Sequence, residues 1–441
     1  MLLEFRTTNY KSFKDEMVFS MIPAPKQKGL DYSILHKMAG KKEYKGLCSA
    51  VIYGPNASGK TNIIGAMETF KNIILRGNIR NTVGQNEPNA AANALELIPN
   101  NTNFEVEPVS FGIKFITEGF LIDYSLLLDL GKFLDDEYSR KILSEELLIN
   151  QSLIFSRNEE LEFGDFELYG DLMVNAFKQN SDSAKELAMN NLNSEELFLM
   201  NGFKSMFSSK IVEMICNWLN NKFMVVYRAD ALQLVRKFSD PKKKSAYVER
   251  TLNKAAKYFG INSNAIGYVV DGDDTEARLC SIFDIDEKNS TAIPAEIFES
   301  YGTIRFINLF PLVVRALMTG STLIVDEFDA SVHPMALMNI INIFHNDEIN
   351  TKKAQLIFNT HNPIFLNSNL YRRDEIKFVE RDEETHYSEH YSLSDFGTSG
   401  TVSVRQNQDY MKNYFINRYG AIKDIDFSPI FEELVVRGKE D

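Results

Sequence analysis

A glycine-rich run near the N-terminus has the residue types and spacing of a phosphate-binding loop. Residues 54–61 fit the pattern G-x-x-x-x-G-K-[ST]. Glycines at both ends allow backbone N–H groups to curl around phosphates, and the lysine can reach the β- and γ-phosphates. The final threonine can offer its hydroxyl to Mg²⁺ at the positive end of the following helix. We therefore predict nucleotide contacts for the whole run: Gly54, Pro55, Asn56, Ala57, Ser58, Gly59, Lys60 and Thr61.

A pair of carboxylates lies far from this loop in sequence. Residues 323–327 read Leu-Ile-Val-Asp-Glu, an apolar strand that ends in two acidic residues. Nucleotide hydrolysis needs one acidic residue at the metal and another that orients the attacking water. We therefore predict that Thr61 and Asp326 hold Mg²⁺ and that Glu327 acts as the general base.

The flanking segments have the order that such a site needs. Leu47 to Tyr53 is an apolar segment before the loop, and Thr61 to Leu75 carries apolar residues at helical spacing after it. Beyond residue 295 helices and strands alternate, which predicts a mostly parallel sheet covered by helices. The predicted elements there are helix Thr303 to Met318, strand Thr322 to Val325, helix Met335 to Phe344, strand Gln355 to Asn359 and strand Ile376 to Glu380.

The chain divides into three predicted parts. Residues 1–133 form a first lobe with the phosphate loop, and in it Val109 to Phe115 and Phe120 to Leu128 are predicted to pair as a hairpin. Residues 134–294 have long polar and charged stretches with helical pattern, which predict a mainly helical insertion or arm. Residues 295–441 form a second lobe. We therefore expect an α/β fold, with a mixed sheet flanked by helices and an inserted helical arm.

Composition and charge limit the class of protein. The chain has 441 residues, 44% hydrophobic and 25% charged, which excludes disordered, collagen-like and disulfide-stapled classes. The net charge of −13 argues against a chain coated in nucleic acid. No segment predicts a secretory signal or a membrane span. Cys48, Cys216 and Cys280 show no paired metal-ligand spacing and are interpreted as reduced core residues. We expect a cytoplasmic protein without a membrane partner.

Taken together, the motifs resemble a known superfamily. The early glycine loop, the late Asp-Glu strand and the long insertion between them look like the ABC-type ATPases of the SMC and RecF branch. Residues 9–13, Asn-Tyr-Lys-Ser-Phe, are similar to the element N-[FY]-[KR]-S-F of that branch, where the basic and serine positions lie near the nucleotide. The resemblance therefore implies nucleotide contacts for Lys11 and Ser12.

Two segments of the second lobe also match this branch. Residues 300–303, Ser-Tyr-Gly-Thr, occupy the place of the ABC signature, although tyrosine replaces the first glycine of the transporter pattern L-S-G-G-Q. Ser300 and the backbone at Gly302 can still grip a γ-phosphate at a helix start, so the departure weakens a transporter function more than ATP binding. His361 sits where the family carries its switch histidine, which implies a catalytic role for it.

Within the branch, the chain resembles the single-chain ATPases of bacterial anti-phage and abortive-infection operons, of the Rlo/AbiL type, and the related PARIS ATPase. Asp329 and His333 resemble the loop by which two such domains sense each other. The resemblance implies an ATPase that uses ATP and Mg²⁺, forms a homodimer or higher homo-oligomer on nucleotide, and regulates a separate effector, which in that family is often a Toprim-like or related nuclease. The middle of the chain matches nothing in the family.

Other functions stay open on the sequence alone. A RecF- or SMC-like DNA repair or recombination ATPase and an ATP-binding scaffold without significant turnover would carry the same motifs. Direct DNA contact stays open through the basic residues Arg236, Lys237 and 242–244. Glu380 with Asp424 and Asp426 fits a Toprim site only superficially. Gln85 is one candidate for the glutamine loop of the family.

Overall fold

A computed structural model describes residues 1–25, 27, 29–80, 95–100, 105–132, 138–174, 181–227, 244–270, 276–286, 289–397, 404–405, 408–423 and 425–437. Its strands are β1 (Leu2–Thr8), β2 (Met17–Ser20), β3 (Ile34–Ala39), β4 (Lys42–Leu47), β5 (Ser49–Tyr53), β6 (Val109–Thr117), β7 (Phe120–Asp129), β8 (Lys141–Ile149), β9 (Ser152–Arg157), β10 (Leu161–Phe163), β11 (Phe223–Val226), β12 (Ser245–Tyr247), β13 (Ala265–Val269), β14 (Arg278–Asp284), β15 (Ser290–Pro294), β16 (Thr322–Val325), β17 (Gln355–Asn359), β18 (Ile376–Arg381) and β19 (Ser388–Ser392).

The α-helices of the described residues are α1 (Lys60–Arg76), α2 (Ser181–Asn190), α3 (Lys204–Met206), α4 (Ser209–Asn221), α5 (Arg250–Phe259), α6 (Ala295–Phe298), α7 (Tyr301–Thr319), α8 (Pro334–His345), α9 (Tyr410–Phe415) and α10 (Ser428–Arg437). Short 3-10 or π turns cover Asp31–Ser33, Phe166–Tyr169, Leu199–Phe203, Pro363–Phe365 and Arg373–Glu375.

The central sheet has six strands in the order β11-β16-β17-β5-β18-β19. The first five are parallel, and β19 pairs antiparallel with β18. Strands β5, β16 and β17 are buried along their whole length, as expected for parallel strands covered on both faces. Alternate residues pack in different cores: Ile52 joins helix α1, whereas Val51 and Tyr53 join helices α7 and α8. The predicted mixed sheet flanked by helices is therefore confirmed.

A second, antiparallel sheet packs on the α1 side of the central sheet. Its seven strands follow the order β10-β9-β8-β7-β6-β1-β2. The predicted hairpin is confirmed by the pairing of β6 with β7. Its two turn residues, Glu118 and Gly119, both have positive φ, which matches the right-handed twist of the strands that they join.

The prediction of a mainly helical arm over residues 134–294 is wrong. The described residues of this segment include eight strands, β8 to β15. Strands β8 to β10 extend the antiparallel sheet, β11 forms an edge of the central sheet, and β12 to β15 form a four-stranded sheet. Strand β8 buries alternate residues such as Leu147 and Ile149, and its charged residues obscured that period of two. The three-part division itself stays a prediction.

One of the described helices, Tyr301–Thr319, is long and apolar enough to cross a membrane by length and composition alone. Its side chains Phe306, Leu309 and Val313 lie in the core against the central sheet. A core helix passes the same test as a membrane span, so the helix is assigned to the core.

Gln355, at the start of β17, joins the two large sheets. Its Oε1 accepts hydrogen bonds from the Leu2 N–H at 2.6 Å and the Thr322 hydroxyl at 2.9 Å. Its Nε2 donates to the carbonyls of Leu2 at 3.0 Å and Leu47 at 2.9 Å. The fully buried amide thus satisfies groups from β1, β4 and β16 at once.

We expect Gln355→Met to lower the free energy of unfolding by about 2–4 kcal/mol, because it leaves buried polar groups of three strands without partners. Chemical denaturation measures this loss. The same change at the exposed turn residue Gln151 is the control, and we expect it to stay within about 0.5 kcal/mol of wild type. Equal effects of the two variants would contradict the role of Gln355.

Lys377, on β18, makes the free energy of unfolding depend on pH. Its side chain is buried, and burial lowers its pKa to about 8, although Asp374, Asp395 and Glu375 oppose the shift. In the unfolded chain the lysine keeps its proton up to about pH 10, so above about pH 8 unfolding takes up a proton and wild type gains stability with rising pH. Below that range both states are protonated and the contribution is flat.

We expect the free energy of unfolding of wild type to rise relative to Lys377→Met by up to about 1.4 kcal/mol per pH unit between about pH 8 and 10. Denaturant titrations at several pH values test this. The exposed Lys257→Met is the matched control and should run parallel to wild type. Parallel curves for Lys377→Met and wild type would refute the lowered pKa.

Candidate functional site

The phosphate loop lies between the carboxyl end of β5 and the start of α1. At Gly54 a Cβ would lie 2.2 Å from the Val379 carbonyl oxygen, and Gly59 has φ of 112°, so both positions require glycine. Lys60 bends back over the loop and its Nζ donates to the carbonyls of Gly54 at 2.8 Å and Pro55 at 2.9 Å. Burial lowers the pKa of Lys60 to about 8, while Asp326 and Glu327 oppose this.

The predicted metal ligands meet at the carboxyl end of the central sheet. The Thr61 hydroxyl donates to Asp326 Oδ1 at 3.0 Å, although the two residues are 265 positions apart. The Asn359 amide donates to the same oxygen at 2.6 Å. Asp326 is buried. A hydroxyl and a carboxylate beside a phosphate loop are the oxygen donors that Mg²⁺ prefers, so this set fits the ion.

Glu327 follows Asp326 in an unusual backbone conformation. Its φ is 50°, a region that costs energy for a residue with a side chain. The Glu327 N–H donates to Asn359 Oδ1, and its carbonyl accepts a hydrogen bond from Arg305 of α7. Both bonds hold the strained peptide, so the backbone position of Glu327 is fixed at the site.

His361 lies two residues beyond β17, near the loop lysine. Partial burial and the charge of Lys60 lower its pKa, and Asp329 and Asp326 act in the opposite direction. The neighbouring Thr360 hydroxyl donates to Asp329 Oδ2 at 2.6 Å. The lowered pKa of His361 favours its neutral imidazole. His333 caps α8, its Nδ1 accepting the Met335 N–H at 3.2 Å.

The signature segment forms the start of α7. Ser300 is the N-cap, and its Oγ accepts the Thr303 N–H at 3.1 Å. Gly302 packs on the loop that follows the Asp-Glu pair, where a Cβ would lie 2.1 Å from the Ser331 carbonyl oxygen. Tyr301 is exposed. Within the described part of the chain, no hydrogen bond joins Ser300 or Gly302 to the phosphate loop.

The N-terminal element lies beside the phosphate loop. Ser12 Oγ accepts a hydrogen bond from the Asn62 amide at 2.8 Å and stands next to Gly59. Lys11 forms an ion pair with Glu96 and lies over the ring of Tyr227, 5.6 Å from its centroid. The element thus reaches the site, with Ser12 at the loop and Lys11 bound to neighbouring side chains.

Sequence reasoning missed three residues of this site. Asn359 bridges Asp326 and Glu327, Arg305 holds the Glu327 carbonyl, and Ser388 donates from its hydroxyl to the Ser58 carbonyl at 2.6 Å. Asn359 was detectable, because it is a polar residue that ends a buried strand. Arg305 and Ser388 carry no local signal.

Several other predictions fall outside the described residues. Gln85, Arg236, Lys237, Lys242, Lys243 and Asp424 are among these. Of the acidic residues in the superficial Toprim fit, Glu380 accepts a hydrogen bond from the Tyr391 hydroxyl at 3.1 Å, and Asp426 accepts one from the Ser428 N–H at 2.8 Å.

Most of the chain matches a known protein family. A family model described as "AAA domain, putative AbiEii toxin, Type IV TA system" matches residues 49–367, which span the phosphate loop, the Asp-Glu strand and His361. The chain belongs to this family. Membership gives a nucleotide-binding domain of the ATPase type, in agreement with the central sheet and its loop. No curated protein matches the chain.

Two solved structures are similar at low identity. The SMC head domain from Thermotoga maritima has 12% identity and a TM-score of 0.35, with 89% of this chain and 98% of that chain covered. The Smc head domain from Pyrococcus furiosus, with an extended coiled coil and bound to the C-terminal domain of ScpA, has 12% identity and a TM-score of 0.38, with 89% and 96% covered.

We expect Asp326→Asn to weaken ATP binding in Mg²⁺ by at least about tenfold, because the amide carries no charge for the ion. Binding in excess chelator should change little. Calorimetric titration with and without Mg²⁺ measures both, and exposed Asp347→Asn is the control. An equal loss in the presence and absence of Mg²⁺ would show that Asp326 supports the loop instead of the metal.

Proposed function

We propose that the protein is an ABC-type ATPase that binds and hydrolyses ATP with Mg²⁺. The observation that carries the proposal is the hydrogen bond between Thr61 and Asp326, which brings the two halves of a triphosphate site together. The family match supports the nucleotide, and the carboxylate Glu327 beside the metal ligands supports hydrolysis.

Each residue then has a role that follows from its position. The backbone of the loop and Lys60 hold the β- and γ-phosphates, and Thr61 and Asp326 hold the ion. Mg²⁺, when bound, neutralises charge on the phosphate oxygens. Glu327 orients and deprotonates the attacking water, and His361 hydrogen-bonds the γ-phosphate in its neutral form. The strained Glu327 backbone keeps that carboxylate in place before nucleotide enters.

We propose that the site is completed by a second copy of the chain. Ser300 and the N–H groups at the start of α7 would close over ATP bound to the loop of the partner. Support comes from the position of this helix start, whose neighbours Ile297 and Tyr301 are exposed apolar side chains. A homodimer, or a higher homo-oligomer built from it, then couples nucleotide binding to assembly.

In the cell, we propose a cytoplasmic sensor or regulator that controls a separate effector in anti-phage defence. The family description names a putative toxin of a type IV toxin–antitoxin system, which supports a role in such a defence system. The resemblance to abortive-infection ATPases supports a Toprim-like nuclease as that effector. The neighbouring reading frame is the direct place to find it. A repair or recombination ATPase would instead show DNA-stimulated turnover.

We expect Glu327→Gln to lower ATP turnover by about 100-fold or more while retaining ATP binding, because the amide cannot take a proton from water. The variant should also accumulate as a dimer in ATP. Phosphate release and light scattering during gel filtration measure the two effects. Exposed Glu348→Gln is the matched control and should hydrolyse ATP like wild type.

The same experiment separates the competing functions. Unchanged hydrolysis in Glu327→Gln would reject this residue as the base. Wild-type protein that binds ATP without turnover would be a scaffold. Turnover that rises only with added DNA would identify a DNA-dependent ATPase.

A further inference from the structure

A second cluster of metal-binding side chains lies at the other end of the central sheet. Cys48, His345 and Glu375 are all buried, and one ligand atom of each lies within 4.8 Å of the others. Cys48 precedes β5, His345 ends α8, and Glu375 ends the turn before β18. The three come together only in the fold, since they are separated by about 300 and 30 positions. Sequence spacing could not detect them.

Two of the three separations between these atoms are close to those of a tetrahedral zinc site, and the third is within 4.8 Å. His345 Nε2 lies 3.1 Å from Glu375 Oε1, and Cys48 Sγ lies 3.9 Å from the same oxygen. Zinc bonds of about 2.0–2.3 Å at tetrahedral angles place ligand atoms about 3.3–3.5 Å apart. Each of the two observed separations is therefore within a few tenths of an ångström of the required edge, which side-chain rotation can supply.

A fourth oxygen lies in the same cluster. Ser49 Oγ is 2.9 Å from His345 Nε2 and 2.7 Å from Glu375 Oε1. Among the described residues, the buried His345 Nδ1 has no hydrogen-bond partner. An imidazole that carries its proton at Nδ1 directs the lone pair of Nε2 into the cluster, where it can bind a cation beside the Glu375 carboxylate. His345 Nε2 and Glu375 Oε1 lie 3.1 Å apart, close enough for one cation to bridge them in place of the proton of a hydrogen bond.

We propose that Cys48, His345 and Glu375 bind one Zn²⁺, with the Ser49 hydroxyl at the fourth corner. The sulfur ligand selects zinc over Mg²⁺ and Ca²⁺, which prefer oxygen alone. A thiolate and a carboxylate together balance a divalent cation, so the loaded site is neutral in a buried position. On binding, the Cys48 thiol releases its proton to solvent as the S–Zn bond forms.

The zinc would be structural and separate from the Mg²⁺ site. Cys48 and Gly54 flank the two ends of β5, so about 20 Å of strand separates the two sites. All ligands come from the protein, without an open face for substrate. The ion would join the first lobe, through β5, to α8 and β18 of the second.

Metal analysis of the full-length chain tests the proposal. We expect about one zinc per chain after tag-free purification without chelator, and loss of at least tenfold in zinc affinity in Cys48→Ser. Cobalt(II) in place of zinc should give a thiolate charge-transfer band and the intense visible bands of tetrahedral cobalt. Cys280→Ser, an equally buried thiol elsewhere, is the matched control and should retain metal and band.

Two further measurements keep the test decisive if Cys48→Ser folds poorly. His345→Gln should also lose zinc, while Asp326→Asn should keep it, because that carboxylate belongs to the nucleotide site. Zinc should raise the thermal unfolding temperature of wild type but not of His345→Gln. Wild type that holds less than about a tenth of a zinc per chain after zinc addition, or cobalt bound without the thiolate band, would overturn the proposal and leave a metal-free hydrogen-bond network.

Discussion

The structure depends on one constraint, a buried carboxylate that must be shared by segments from opposite ends of the chain. Asp326 is removed from solvent, and its charge is tolerated because Thr61 and Asn359 donate hydrogen bonds to it. Asp326 follows β16, Asn359 ends β17, and Thr61 lies on α1 just after the loop that follows β5, so the carboxyl ends of three parallel strands converge on the carboxylate. The strand order β16-β17-β5 is what makes the convergence unavoidable. The helices, the outer strands and the inserted segments pack around these three strands.

Much of the site could be predicted from sequence, because its motifs are local. The glycine loop and the Asp-Glu strand end each have a recognisable sequence pattern, and so does the helix that follows each of them. The structure brings Thr61 and Asp326 within hydrogen-bonding distance. The functional roles of these residues stay predictions. What the sequence could not supply were partners that depend on strand order. Arg305 reaches Glu327, and Ser388 reaches the loop, only once the chain has folded.

In the middle of the chain, by contrast, the sequence pattern did not predict the secondary structure. Residues 134–294 were predicted to be mainly helical, yet strands from this segment enlarge both large sheets. In β8 the alternation is interrupted by the buried Glu145, which bonds the Tyr124 hydroxyl and two backbone N–H groups. A buried acid satisfied by distant donors looks like a surface residue in sequence. Tertiary pairing therefore overrides the local pattern here.

Helix α7 connects the Ser300–Thr303 segment with the backbone of Glu327. Its first turn carries Ser300 and Gly302, and its Arg305 grips the carbonyl of Glu327. One continuous helix therefore carries both the exposed Tyr301 at its start and the side chain that holds the backbone of Glu327. A displacement of the helix start would therefore move Arg305 and, through its hydrogen bond, the peptide of Glu327, without any contact to the phosphate loop.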